Sequence, residues 1–167
     1  MDNDYTNEIV ISIGTNLGNK KDNLEKAISL LKVELEIVKF SNIYESEPWG
    51  FKSENTFLNM GILVSSTFNA LKLLKFLKHI EISMGRIFNN KKGYTDRIID
   101  LDILLYGDQI INTPKLKIPH IKIAERKFSI LIIKDLLGES LLPTFKMTAD
   151  RMLRETTDKS NISIFDS

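Results

Sequence analysis

The run Ile98-Ile99-Asp100-Leu101-Asp102-Ile103-Leu104-Leu105-Tyr106 reads as a buried β-strand, yet it carries two carboxylates two positions apart. Strand side chains alternate faces, so Asp100 and Asp102 point the same way, with Cα atoms roughly 6–7 Å apart. Two carboxylates among apolar neighbours repel each other and are costly to bury unpaired. A divalent cation between them removes both penalties. Magnesium suits the place, because it takes one or two carboxylates and completes its shell with water and substrate phosphates. The plainer alternative is a surface strand with one acidic face. The flanking Ile98, Ile99, Leu104 and Leu105 weigh against full exposure.

Before this strand, the hydrophobic periods alternate between two and 3.6 residues. Residues 8–14 and 35–45 read as strands, the first ended by Gly14, and a third spans 56–66. Leu24, Ala27, Ile28 and Leu31 mark one helix; Leu73, Leu77, Ile80 and Met84 mark another, starting near Asn69. The order strand-helix-strand-strand-helix-strand predicts an α+β fold with a ferredoxin-like split βαβ core, an antiparallel sheet and a C-terminal helical extension. A short strand near 109–111, a helix over about 124–136 and a last short helix over 148–154 follow. The final dozen residues read as frayed. The whole chain, 1–167, is expected to form a single domain, with a core over about 8–137 and a tail over 138–167.

A formal net charge of +1 gives no global field for nucleic acid or an acidic membrane, so any anion site has to be a local cluster. With no cysteine and two histidines, thiolate centres and histidine-rich zinc centres are excluded. The polar, acidic start has no signal pattern, and no apolar run reaches the roughly 20 residues of a bilayer span. A cytoplasmic location and a monomeric state are the expectations.

Candidate groups flank the acidic strand. Arg86, Lys91, Lys92 and Arg97 sit in or beside a basic loop at 85–96, read as mobile. They are either a solvated charge run or the clamp that phosphoryl-type transfer needs around a moving group. His120, after Pro119 and near Lys122 and Arg126, is either a structural donor or a phosphate donor; His79, inside a helix, is structural. Trp49, Phe57 and Phe128 are core aromatics or the sides of a slot for a flat heterocycle. Asn59 shares a strand face with Phe57 and could read the edge of such a ring. Gly14-Thr15-Asn16-Leu17-Gly18 lacks the Gly-Lys-Ser/Thr ending of a Walker A loop. Another magnesium-dependent Asp-x-Asp nucleotidyl- or glycosyl-transferase would share the acidic pair without needing Asn59, Phe57 or Phe128. A ferredoxin-like nucleic-acid module would instead want a basic sheet face.

Several blocks, taken in order, resemble the 6-hydroxymethyl-7,8-dihydropterin pyrophosphokinases of folate biosynthesis. They are Ile13-Gly14-Thr15-Asn16-Leu17-Gly18, Tyr44-Glu45-Ser46-Glu47-Pro48-Trp49-Gly50, Phe57-Leu58-Asn59 and Glu81-Ile82-Ser83-Met84-Gly85-Arg86. The acidic strand, Ile118-Pro119-His120, Arg126 and Phe128 complete the set. The resemblance implies transfer of pyrophosphate from ATP to the pterin hydroxymethyl group, with AMP released. Asp100 and Asp102 would hold two magnesium ions. Arg86, Arg97 and His120 would contact the triphosphate, and Arg126 would assist the chemistry. Glu81, Ile103 and Lys115 would lie near ATP. Asn59, Phe57, Phe128, Ser46, Pro48 and Trp49 would form the pterin pocket. Phe88 stands where many members carry a further Arg, and Tyr94 where a Trp is common. The partners implied are the two small-molecule substrates, with neither nucleic acid nor membrane.

Overall fold

The structure is a computed structural model, and it describes residues 7–88, 93–142 and 144–166. The chain order is β1 (Asn7–Thr15), α1 (Lys20–Leu31), β2 (Glu36–Phe40), β3 (Tyr44–Ser46), β4 (Phe57–Ser66), α2 (Ala70–Ser83) and β5 (Asp100–Tyr106). After these come β6 (Ile111–Asn112), β7 (Lys117–Ile118), α3 (Lys127–Leu137), α4 (Ala149–Glu155) and β8 (Ile162–Ile164). Among the described residues, a sheet of six strands runs β5-β1-β4-β3-β8 with β2 also on β4, and each of these pairings is antiparallel. This is the expected split βαβ core, since β5, β1, β4 and the β2/β3 pair are the fourth, first, third and second strands of the pattern. No described helix is long and apolar enough to cross a membrane.

Local chemistry sets the helix starts. Asn19, Asn69 and Thr148 each accept a hydrogen bond from the backbone N–H three residues on, satisfying a donor that a helix start leaves free. The first helix of the extension starts later than periodicity suggests, at Lys127 rather than near 124. Residues 121–125 are turns, and Arg126 takes an extended N-cap conformation with no side-chain cap.

Three expectations need correcting. The strand expected over 35–45 is two strands, because the chain leaves the ladder at 41–43. Ser41 Oγ there accepts from Gly61 N at 2.7 Å, and Asp135 of α3 accepts from Asn42 N and the Tyr44 hydroxyl. The final residues are not frayed throughout: β8 pairs with β3, placing Ile162 opposite Ser46. Asp158 accepts from Lys127 N at 2.8 Å and so caps α3 from the tail. The short strand expected at 109–111 is displaced to Ile111–Asn112, where it pairs with β7.

The sheet has two unlike faces. Ile9, Ile11, Ile13, Leu58, Met60 and Leu101 join Leu24, Leu31, Leu73 and Leu77 of α1 and α2 in one core. Val10, Leu63 and Leu104 join Ile130, Ile132 and Ile133 of α3 and Met152 of α4 in the other. On that second face α3 comes so close that a Cβ on Gly61 would overlap the Ile132 side chain and lie 3.2 Å from Leu136 Cδ1. Gly61→Ala is therefore expected to destabilise the fold by about 1–3 kcal/mol, because helix or sheet has to shift. A urea titration in which the variant keeps the wild-type midpoint would show that α3 does not need this approach.

Candidate active site

Past the N-terminus of α3, the second sheet face is uncovered and carries small or polar residues. The pairing register puts Asp100 opposite Gly14, Gly14 opposite Asn59, and Asp102 opposite Ser12. Paired residues share a face, so two carboxylates, a bare backbone and an amide lie side by side across three strands. A cavity of about 440 Å³ opens over them, and Phe57, Phe128, Trp49, Ser46, Arg97 and Arg126 also line it.

Asn59 is 5% exposed, and its Nδ2 donates to Ser46 Oγ at 2.9 Å. A Cβ on Gly14 would sit 3.0 Å from Asn59 Oδ1, so glycine there is what makes room for the amide. Arg97 lies 5.2 Å from the Phe57 ring centre, and Arg126 lies 6.0 Å from that of Phe128. The Nε atoms of both arginines are buried donors with no hydrogen-bond partner among the described residues. Buried donors of this kind favour an anionic ligand.

The two carboxylates are not equivalent. Arg86 Nη1 donates to Asp100 Oδ1 at 2.6 Å, and Arg97 Nε lies 3.7 Å from Asp100 Oδ2. Burial pushes the Asp100 carboxyl up, but the Arg97 and Arg86 charges outweigh it and hold it below its ordinary value. Burial also pushes Asp102 up, here reinforced by the Asp100 charge, to about 7. Its side chain keeps 25% of its surface accessible, but that surface is the floor of a cleft. The donor set thus fits a cation: one carboxylate is ionised, and burial together with the first one's charge raises the cost of ionising its neighbour, a cost that a cation between them would remove.

His120 is fixed in a defined state. Burial, with Arg126 nearby, pushes it down to about 4, so it is neutral at pH 7. Lys122 N donates to its Nδ1 at 3.1 Å, which leaves the proton on Nε2. Nε2 faces Asp102 Oδ2 at 3.9 Å, too far for a hydrogen bond and, with a neutral ring, not an ion pair. His120, Asp102, Ile103 and the exposed Lys115 line a second cavity of about 780 Å³, between α2 and the β6–β7 hairpin. Asp102 is in the wall of both cavities.

The family of 7,8-dihydro-6-hydroxymethylpterin-pyrophosphokinase (HPPK) matches residues 10–138. The chain belongs to this family. A 2-amino-4-hydroxy-6-hydroxymethyldihydropteridine pyrophosphokinase of Aquifex aeolicus is 33% identical over 151 residues, covering 90% of this chain and 93% of that protein. The Dictyostelium discoideum folic acid synthesis protein FOL1 is 35% identical, covering 93% of this chain, although the chain spans only 23% of its length. The Arabidopsis folate synthesis bifunctional protein is 38% identical, with 29% of its length spanned. Among solved structures, a Plasmodium falciparum HPPK-DHPS with pteroate superimposes at a TM-score of 0.75 and 18% identity, covering 93% of this chain and 41% of that one. At that identity the likeness speaks for the fold alone.

Within this HPPK-family frame, the residues expected from sequence fall into three groups. Asp100, Asp102, Arg97, Arg126, Phe57, Asn59, Phe128, Ser46 and Trp49 converge on the first cavity; Ile103, Lys115 and His120 line the second. Arg86 lines neither, and nor does Glu81. It is fully buried, and its Oε1 accepts from Arg86 Nη1 at 2.6 Å and from Leu101 N at 2.7 Å. Burial pushes its carboxyl up, while Leu101, Lys78 and Arg86 pull it down. Glu81 therefore reaches the site through what it holds: Arg86, β5 and Lys78, whose Nζ donates to Glu81 Oε2 at 3.0 Å and which lines the second cavity. Pro48 is half-buried between the lining residues Glu47 and Trp49. Phe88 is half-exposed, with the Arg86 guanidinium 4.7 Å from its ring centre. Lys91 and Lys92 lie outside the described residues.

Sequence reading missed Asn16, taken only as part of a turn. It is 2% exposed; its Oδ1 accepts from Arg97 N at 2.7 Å and its Nδ2 donates to Asp96 Oδ1 at 2.7 Å. Asp96 in turn accepts from Asn55 Nδ2 at 3.1 Å. One buried amide thus ties the 14–18 loop to the segment that presents Arg97. A polar side chain between two turn glycines was the available signal, but its partner lies 81 residues away.

Proposed function

We propose that the chain transfers pyrophosphate from ATP to the hydroxymethyl oxygen of 6-hydroxymethyl-7,8-dihydropterin, giving the pterin diphosphate and AMP. The carrying observation is that Asp102 walls two cavities at once. One is flanked by aromatic rings with an amide on its floor; the other is framed by Lys115 and His120. A flat heterocycle in the first and a nucleotide in the second would meet at the carboxylate pair.

In this reading the pterin lies between Phe57 and Phe128, with its polar edge on Asn59, which Ser46 holds in place. Its hydroxymethyl oxygen attacks the β-phosphorus in line, the bond to the α-phosphate oxygen breaks, and AMP leaves. The hydroxyl proton passes to solvent or to a phosphate oxygen; the site assigns no side chain as obligatory base. Asp100 and Asp102 would hold magnesium, two ions by the family likeness, which when bound neutralises and orients the triphosphate. Arg86 is held rigid by Glu81 and Asp100, Arg97 by Asn16 through its backbone. Their guanidinium groups, with Arg126 and the Nε2–H of neutral His120, donate to phosphate oxygens and offset charge built up in transfer. Positioning carries much of this reaction class, so a rigid donor set is more useful than a strong base.

Incubation with ATP, magnesium and the dihydropterin is expected to yield AMP and pterin diphosphate in equal amounts, and neither when magnesium is withheld. ADP in place of AMP, or no nucleotide turnover, would sink the assignment.

A further inference from the structure

Tyr94 lies between the two guanidinium groups that wall the first cavity. Its hydroxyl accepts a 2.7 Å hydrogen bond from Arg126 Nη2. The Arg126 guanidinium carbon is 5.1 Å from the Tyr94 ring centre, and that of Arg97 is 5.6 Å away. The ring also meets Trp49 edge-on at 5.8 Å. Gly50, at φ 78°, brings the 47–56 segment so close that a Cβ there would sit 3.2 Å from Tyr94 Cδ2. Tyr94 therefore touches the cavity's two arginines and the facing segment together.

Arg126 needs such a holder. Its own backbone is the extended N-cap of α3, where its side chain makes no cap bond, its Nε has no hydrogen-bond partner among the described residues, and its guanidinium stacks 4.8 Å from the Trp49 ring centre. Stacking limits how far the guanidinium moves from the rings but not how it rotates in their plane. A directional hydrogen bond from one Nη fixes that rotation, and with it the aim of the remaining N–H groups. We infer that Tyr94 is a positioning residue whose hydroxyl aims Arg126 at the cavity, a role its aromatic ring alone would not fill. The inference rests on the pyrophosphokinase reading for its kinetic consequence, but not for its structural one.

Two measurements on wild type, Tyr94→Phe, Arg126→Ala and the double variant test it. Tyr94→Phe keeps the ring and removes only the acceptor. It is expected to lower kcat roughly tenfold, as loss of a hydrogen bond to a charged group would, with KM for both substrates within about twofold. On the Arg126→Ala background it should do nothing further, since the hydroxyl acts through that arginine. Wild-type kcat in Tyr94→Phe, or equal fractional losses on both backgrounds, would overturn the role. The second measurement is emission from Trp49, the chain's single tryptophan. Tyr94→Phe should change its intensity in the wild-type background and not in the Arg126→Ala background, and unchanged emission in the single variant would also overturn the role. If the wild type makes no AMP, the pyrophosphokinase reading fails, and Trp49 emission alone decides the Tyr94–Arg126 link.

Discussion

Asp102→Asn is expected to remove catalysis and stabilise the protein in the same stroke. Turnover should fall on the order of 10³-fold or more, the scale lost when a preorganised electrostatic element at the reacting centre is deleted. Stability should move the other way. The folded carboxyl is pushed up from 3.8 to about 7, first by burial and then by Asp100. A raised acid gives its full stability below pH 3.8 and loses it as pH rises through about 7, because the unfolded chain then binds fewer protons than the folded one. Without magnesium, wild type should therefore melt progressively below Asp102→Asn as pH goes from 4 to 8, with the two nearly level at pH 4. Adding magnesium and an unhydrolysable ATP analogue at pH 8 should raise the wild-type midpoint and leave that of the variant almost unmoved. Thermal melts at the two pH values check the stability claim; a variant less stable than wild type at pH 8 without magnesium would contradict it.

Asn59→Ala carries the second large effect, and it should fall on one substrate only. The amide is buried, with Nδ2 engaged by Ser46 and Oδ1 lodged beside Gly14. It is thus a preset acceptor and donor at the end of an aromatic slot. Removing it leaves the polar edge of a bound pterin unpaired in a desolvated place, and Ser46 Oγ loses its partner. A loss of about 2–3 kcal/mol, roughly 30- to 150-fold in pterin affinity, follows from an unsatisfied buried pair. ATP affinity should stay within about twofold, because Asn59 lines the first cavity and not the second. Calorimetric titration of each ligand separately tests the split; equal weakening of both would mean that Asn59 shapes the whole site and does not read one ring.

How much of this was legible beforehand varies with the range of the interaction. Helix starts at Asn19 and Asn69 are local, set by side chains bonding three residues on, and the second is read directly from the sequence. The Asp100/Asp102 pair needed only the two-residue strand period. The start of α3 was misplaced because its cap comes from Asp158, 31 residues downstream. The break between β2 and β3 has a similar cause: Asp135, more than 90 residues away, takes the Asn42 N–H that the ladder gives up. Asn16 and Tyr94 look like an ordinary turn residue and loop aromatic until Arg97 and Arg126 are beside them. The family resemblance puts Glu81 near ATP; a helical position cannot say whether a carboxylate meets ligand or an internal arginine.

The sequence by itself determined the split βαβ order, the shared face of the two carboxylates and, through its ordered motifs, the family. Those properties follow from residue periods and from residue types at fixed spacing. Only the tertiary structure decided that Asp100 is neutralised by Arg86 while Asp102 is not, that Asp102 walls two cavities, and that the tail supports the helix presenting Arg126. Each of these depends on charges and backbone groups brought within a few ångströms from distant parts of the chain. Their energies rise steeply as distance and solvent exposure fall, and sequence spacing encodes neither.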